Sequence, residues 1–409
     1  MARRRFAKIV LWTIAVALVA AVAAALAARW AFGPLPSSDR LDVDLQRVVD
    51  HAVASDPAIR NCVLAVRSGH GALAWAGAAG TARQKGAVAM TAQTPFFIAS
   101  VTKLFTATVV MRLAERGALS LDEPMAKRLP EALVKGIAFL DGRDHSGEIT
   151  IRQLLSHRSG LPDYYEDKGR DGKSLFDLLK ERPDAPWTAD AAIVRARDEL
   201  KPAAAPGAAT YYSDTNYQLL GKLIEAVAGK PLDAVFASEL FEPLGLDHTW
   251  LVGHPTGMLA DLAPADVFAG DVDVTRARLN PVYWADGGIV STAPDLIVFM
   301  QALAEGRIVR RESLEAMHAW NNWRFPLRYG LGTMAFSLPP VSMAVTGMTP
   351  LWGHSGSTGS FLYYAPDLDL SIAGTIDQVE GEAKPFLLML RTVQAARAEI
   401  ARRAAATAP

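Results

Sequence analysis

Hydrophobic and polar positions alternate along this chain in several distinct ways, and each predicts an element. A basic head at Arg3, Arg4, Arg5 and Lys8 precedes an uncharged run from Ile9 to Ala28. That run is close to the ~20 residues that span a bilayer as a helix, and long for the core of a signal peptide. The positive flank favours an inside N-terminus and an exported remainder. Ala25-Leu26-Ala27 offers a cleavage site. Residues 1–30 are therefore expected to be a signal peptide or membrane anchor, with residues 31–40, including "GPLPSSD", as a linker.

The stretch "NCVLAVRSGHGALAWAGAA" reads as two short strands joined by a Gly-rich turn at Ser68 to Gly71. A helix is expected from Ser100 to Arg116, stopped by Gly117. "TIRQLLSHRSGLPDYY" reads as a second helix, ended by Gly160 and Pro162, and Thr215 to Ala228 as a third, closed by Gly229. After about residue 270 the pattern changes. "DLIVFMQALAEG" is helical, whereas "RYGLGTMAFSL", "LWGHSGSTGSFLYYA" and "LDLSIAGTID" read as strands, the last two separated by a turn at Pro366 to Asp369. "KPFLLMLRTVQAARAEIARR" supplies a closing helix, and residues 399–409 a tail. Strands near both ends with helices between them predict an α/β (α+β) fold. The expected body is one domain over 41–398. Its α/β lobe takes in 41–95 and 271–398, an antiparallel sheet flanked by helices, and an all-α lobe is inserted at 96–270. A site belongs in the cleft between lobes.

Composition adds little to this picture. The chain has 409 residues, half of them hydrophobic, and a net charge of −1. It gives no electrostatic reason to expect a nucleic-acid partner. Cys62 is the single cysteine, so no disulfide forms within the chain. The eight histidines are scattered, without the His-Glu-x-x-His of a zinc hydrolase. No metal or cofactor is expected. A Gly-x-Ser-x-Gly elbow is also missing, which excludes an α/β-hydrolase.

The chemistry starts at "FFIASVTKLF", residues 96–105, where Lys103 is the only charge between positions 86 and 111. Three residues apart on a helix, Ser100 and Lys103 share a face. Near a helix start, unpaired N–H groups and the positive helix end favour a developing alkoxide. A desolvated lysine has its pKa pushed down and takes up a proton, so the pair has the parts of an activated serine nucleophile. A surface serine beside a snorkelling lysine is the alternative.

Two further motifs follow in order: Tyr212-Ser213-Asp214 ahead of a helix, and His354-Ser355-Gly356 on a strand. Ser-x-x-Lys, then a Tyr-x-Asn-like motif, then Lys/His-x-Gly resembles the penicillin-recognising serine hydrolases. The flanks "LLSHRSGLPDY" and "DGGIVSTAPDL" resemble the branch that holds class C β-lactamases, D,D-carboxypeptidases, D-aminopeptidases and related esterases. The likeness runs from about residue 45 to 395. It implies a β-lactamase/transpeptidase-like fold and a serine hydrolase acting through an acyl-enzyme, which the N-terminal run puts in the periplasm or cell envelope, held in the inner membrane by residues 9–28 if these are uncleaved. The substrate would be a small molecule or peptidoglycan peptide. It implies Ser100 as nucleophile, Lys103 as base, Tyr212 as second proton carrier, and the N–H groups of Ser100 and Ser357 as oxyanion hole. Asp214, His354, Ser355 and Gly356 would contact substrate.

Two positions depart from that pattern. Asp214 stands where many relatives have Asn; an ionised carboxylate accepts but does not donate. It is free to pair with Lys103 or to receive a substrate ammonium. His354 replaces the lysine of β-lactamases, and a neutral imidazole attracts a carboxylate less than an ammonium does. Both argue against an efficient β-lactamase and leave a D,D-peptidase, D-aminopeptidase or esterase. A non-catalytic ligand-binding or sensor protein on the same scaffold is the rival from another class.

Overall fold

The computed structural model describes residues 38–407 apart from 39, 70, 72, 255–261, 341–342, 344–347 and 382. The basic head, the apolar run and most of the linker lie outside the described residues. Among those described, no helix is long and apolar enough to cross a membrane.

The sheet is assembled from both ends of the chain, as the pattern predicts. Its strands are β1 (Asn61–Ser68), β2 (Ala74–Arg83), β3 (Val88–Ala89), β4 (Asn321–Arg324), β5 (Leu327–Tyr329), β6 (Met334–Phe336), β7 (Leu351–Ser355), β8 (Phe361–Ala365) and β9 (Leu370–Thr375). Their spatial order is β4-β5-β6-β7-β8-β9-β1-β2-β3, with every pairing antiparallel. The junction of the two ends is the β9–β1 ladder, in register Val63↔Thr375 to Ser68↔Leu370. Alternation sends Leu64, Val66 and Ile372 to one face, against helix α1 (Leu41–Ala54) and the closing helix (Lys384–Thr407). Val63, Ala65, Leu362 and Ala373 face the other side and the main core. The closing helix runs on through residues 399–407, so the expected tail is helical.

Helix α2 (Thr102–Glu115) is buried nearly all round, and Phe105 stacks on Phe299 at 3.7 Å between ring centres. A helix apolar on every side belongs in the interior. The helix expected up to Gly160 is shorter: α3 spans Ile151–Leu155, opened by a capping box between Thr150 and Gln153. It ends where His157 takes a left-handed φ of 54°, a conformation that cannot continue the helix. Helix α4 (Thr215–Ala228) ends on Gly229 at φ 65°, the αL cap the sequence announces. "RYGLGTMAFSL" is not one strand but β5 and β6, parted at Gly330–Thr333. A Cβ on Gly332 (φ 73°) would lie 2.1 Å from that of Ala107, so this turn packs directly on α2.

The helical insertion carries strand residues too. Phe96–Phe97, Trp250–Leu251 and Ile289–Ser291 form a small three-stranded sheet that joins the two lobes. It sets the turn that holds Ser100.

Candidate active site

Ser100 lies in a single 3-10 turn, Ala99–Val101, that runs into α2. Ala99 has φ 46°, a region an L-residue with a Cβ rarely occupies. The surroundings hold it there. The Ile98 N–H donates to the Ile289 carbonyl at 3.1 Å, and the Ser360 and Thr358 hydroxyls donate to the Ile98 and Phe97 carbonyls, each at 2.7 Å. Gly356 completes the clamp. A Cβ there would sit 2.4 Å from the Ile98 oxygen and 3.0 Å from the Ala99 Cβ. This glycine thus permits the strand end to approach the serine turn.

Lys103, one turn on, is fully buried. Its ammonium donates to Ser100 Oγ at 3.0 Å and to the Asp286 carbonyl at 2.8 Å, and pairs with Asp214 Oδ1 at 2.6 Å. The ammonium is thus engaged by a hydroxyl, a backbone carbonyl and a carboxylate. Burial alone works against the charge, but the nearby Asp214, Tyr212 and Asp286 outweigh it and raise the pKa. The expected depression of the Lys103 pKa is therefore overturned: the amine is held as an ammonium.

Asp214 occupies the N-cap position of α4 yet makes no side-chain capping bond. An Asp there ordinarily satisfies a free helix N–H; this one serves Lys103 instead, beside the positive helix end. Tyr212 lies beside Ser100 and Lys103, with the ammonium 5.1 Å from its ring centre. Burial raises its pKa; Lys103 lowers it and Asp214 raises it again, with a net rise. The resting state is an ammonium beside a neutral phenol.

His354 does not stand where it could meet a substrate carboxylate. It is fully buried on β7; Nδ1–H donates to the Ser355 carbonyl at 2.8 Å and Nε2 accepts from the Tyr329 hydroxyl at 3.0 Å. Burial, with Lys103 nearby, pushes its pKa down to about 3. Ser355 Oγ is engaged with the Tyr363 hydroxyl at 2.8 Å. Ser357 is exposed in the β7–β8 turn, and its N–H makes no hydrogen bond among the described residues.

Several groups around the site had no role assigned from sequence. Asp286 accepts from Tyr164 Oη at 2.6 Å and from Gln218 Nε2 at 3.2 Å. Burial and the charge of Asp214 push its pKa up to about 6, against Lys103 and the Tyr164 bond. Asp163, also buried and near Asp214, is raised well above the ordinary carboxylate range. His157 Nδ1 accepts from the Ser213 N–H and faces Asn216 Nδ2, each at 3.1 Å. Its ring lies against Tyr212 at 4.1 Å, tilted by 31°. Asp286 and His157 sit inside "DGGIVSTAPDL" and "LLSHRSGLPDY", so the signal was present as flanking text. Among the described residues, no group of His, Cys, Asp and Glu is placed to hold a metal ion.

Comparison with known proteins agrees with this arrangement. The chain is 33% identical to Penicillin-binding protein 4 of Amycolatopsis lactamdurans, over 70% of this chain and 72% of that one. It is 27% identical to the Putative penicillin-binding protein PbpX of Bacillus subtilis (strain 168), over 63% of this chain but only 57% of the relative's length. Among solved structures, a D-stereospecific amidohydrolase from Streptomyces sp. superposes with a TM-score of 0.67 at 29% identity, covering 84% of this chain and 97% of that one. Residues 45–394 match the family described as Beta-lactamase. With that span, that fold and that serine–lysine–tyrosine cluster, the chain belongs to the Beta-lactamase family of serine hydrolases.

Proposed function

We propose that this protein is an acyl-enzyme serine hydrolase that prefers small esters and D-aminoacyl substrates to substrates ending in a carboxylate. The observation that carries this reading is the Ser100 Oγ–Lys103 Nζ contact at 3.0 Å, with Asp214 Oδ1 2.6 Å from the same nitrogen. In the first step Ser100 Oγ bonds to the substrate carbonyl carbon. The bond to the leaving alcohol or amine then breaks, and the serine proton reaches that group through Tyr212. The N–H groups of Ser100 and Ser357 take the oxyanion; one such donor is worth ~3 kcal/mol of barrier. Water next attacks the acyl-serine, the ester bond breaks, and Ser100 regains its proton. Lys103 keeps its charge beside the phenol and stabilises the phenolate form as the proton moves.

The preference follows from charge. One buried ammonium faces the carboxyl groups of Asp214, Asp286 and Asp163. Lys103 is already paired with Asp214, and His354 is neutral and covered. A substrate carboxylate would find the one cation of the cluster already paired with Asp214, whereas a free amine would be attracted to the carboxyl groups. The similarity to a D-stereospecific amidohydrolase supports the amine-bearing class. A panel of p-nitrophenyl acetate, a D-aminoacyl anilide, a D-Ala-D-Ala peptide and a chromogenic cephalosporin tests it. The first two should exceed the last two in kcat/KM by at least about tenfold, or ~1.4 kcal/mol of barrier. A cephalosporin turned over fastest would overturn the preference. The basic head and the run Ile9–Ala28 support an activity at the cell envelope. An alkaline phosphatase fusion after residue 40 should be active in a bacterial host; a well-expressed but inactive cytoplasmic fusion contradicts that.

A further inference from the structure

Tyr212 is held by rings. His157 lies against it at 4.1 Å with 31° between planes, and Trp323 at 5.0 Å with 21°. His157 and Trp323 make no ring contact with each other among the described residues, so they lie on opposite faces of the phenol. Tyr329 closes an edge, T-shaped to Tyr212 at 5.7 Å and to Trp323 at 6.0 Å. Such pairs contribute beyond the area they bury, and two of them fix both faces of one ring.

Trp323 comes from an unexpected place. It lies on β4, the edge strand of the large sheet, far in sequence from every serine-hydrolase motif. Asn322 pairs with Arg328 and Arg324 with Leu327, so Trp323 is the extra residue of a β-bulge. Bulges bend an edge strand and re-aim one side chain. Here the bulge brings the half-buried indole onto Tyr212. The hairpin is also tied to the other plate of the stack. Arg158, next to His157, donates from Nη1 to Asn321 Oδ1 at 3.0 Å, and its second nitrogen bonds the Gly207 carbonyl. One guanidinium thus links the strand carrying Trp323 to the turn carrying His157.

We propose that Trp323 is a positioning residue for this site: stacked opposite His157, it holds the Tyr212 phenol oxygen against Ser100. The inference rests on the serine-hydrolase reading above. It predicts that loss of the ring slows proton transfer while leaving substrate binding nearly intact, because Trp323 acts through Tyr212. Leucine would fill volume without supplying a flat face; phenylalanine would supply one.

The test is the rate of covalent labelling by a fluorophosphonate across reagent concentrations, for wild type and for Trp323→Ala, Trp323→Leu and Trp323→Phe. The maximal rate should fall about 10- to 100-fold in the Ala and Leu variants, the range for a displaced catalytic group. The half-saturating concentration should change by less than about threefold, and Phe should restore the rate to within about threefold of wild type. Ala at the wild-type maximal rate, a loss confined to half-saturation, or Phe as slow as Leu overturns the proposal. A wild type that takes no label sinks the serine reading itself, and this inference with it.

Discussion

Lys103 has three N–H bonds, and Asp214 lies against one of them at 2.6 Å. The carboxylate reverses what burial would do to the amine. It acts on Tyr212 in the same direction, since a neighbouring negative charge also disfavours a phenolate. Tyr212, which relays the serine proton, has a basic form that becomes more abundant as pH rises. Asp214→Asn removes the raising charge from both groups, so both pKa values fall. The rising limb of the labelling rate against pH should move to lower pH by at least about one unit, or ~1.4 kcal/mol. An unmoved limb, or one shifted upward, contradicts the assigned role of Asp214. The sequence allowed an Asp214–Lys103 pair but could not weigh it. The partners are more than a hundred positions apart, and the balance of burial against charge exists only after folding. The same limit applies to His354. Its place in the third motif was legible; its complete burial between Tyr329 and the Ser355 carbonyl was not. Replacing His354 with lysine would bury a second cation near Lys103, so Asp214→Asn alone is the cleaner test.

Elements with one strong local signal were readable in advance. Helix α4 has an apolar face through Tyr217, Leu220 and Ile224 and a glycine at its C-cap, and it spans the expected residues. Strands β1 and β2 alternate around a Gly-rich turn, and they pair as a hairpin. The failures occur where tertiary contacts override the local pattern. Helix α3 stops early for the sake of His157, and β5 and β6 part where Gly332 meets α2. The bulge that aims Trp323 had no legible signal, because one aromatic residue on a short polar strand is ordinary. The serine turn is the element most exposed to such constraints. Gly356→Ala would place a methyl 2.4 Å from the Ile98 carbonyl oxygen and 2.2 Å from Ser360 Oγ. Overpacking of this kind costs ~1–3 kcal/mol. Thermal melting should show that loss, and labelling of Ser100 should slow as the Ala99 turn shifts. Gly147→Ala, with nothing within 4 Å, serves as the control and should melt as wild type does. Equal melting and labelling of the two variants would remove Gly356 from the clamp.

At the scale of the molecule, the two ends of the chain meet in one sheet and the helical insertion supplies the other wall of the site. Ser100 and Lys103 come from one helix start, Tyr212 and Asp214 from the approach to α4, and Gly356 and Ser357 from the β7–β8 turn. The order of motifs made that convergence legible. The small sheet joining the lobes was not, because two-residue strands such as Phe96–Phe97 carry no periodicity. The account as a whole depends on Ser100 being the nucleophile. Its most direct measurement is intact-protein and peptide mass spectrometry after reaction with a fluorophosphonate, for wild type and Ser100→Ala. The account predicts one adduct per wild-type chain, on the peptide containing Ser100, and no adduct on the variant. An unmodified wild type, or equal labelling of the two proteins, would contradict it.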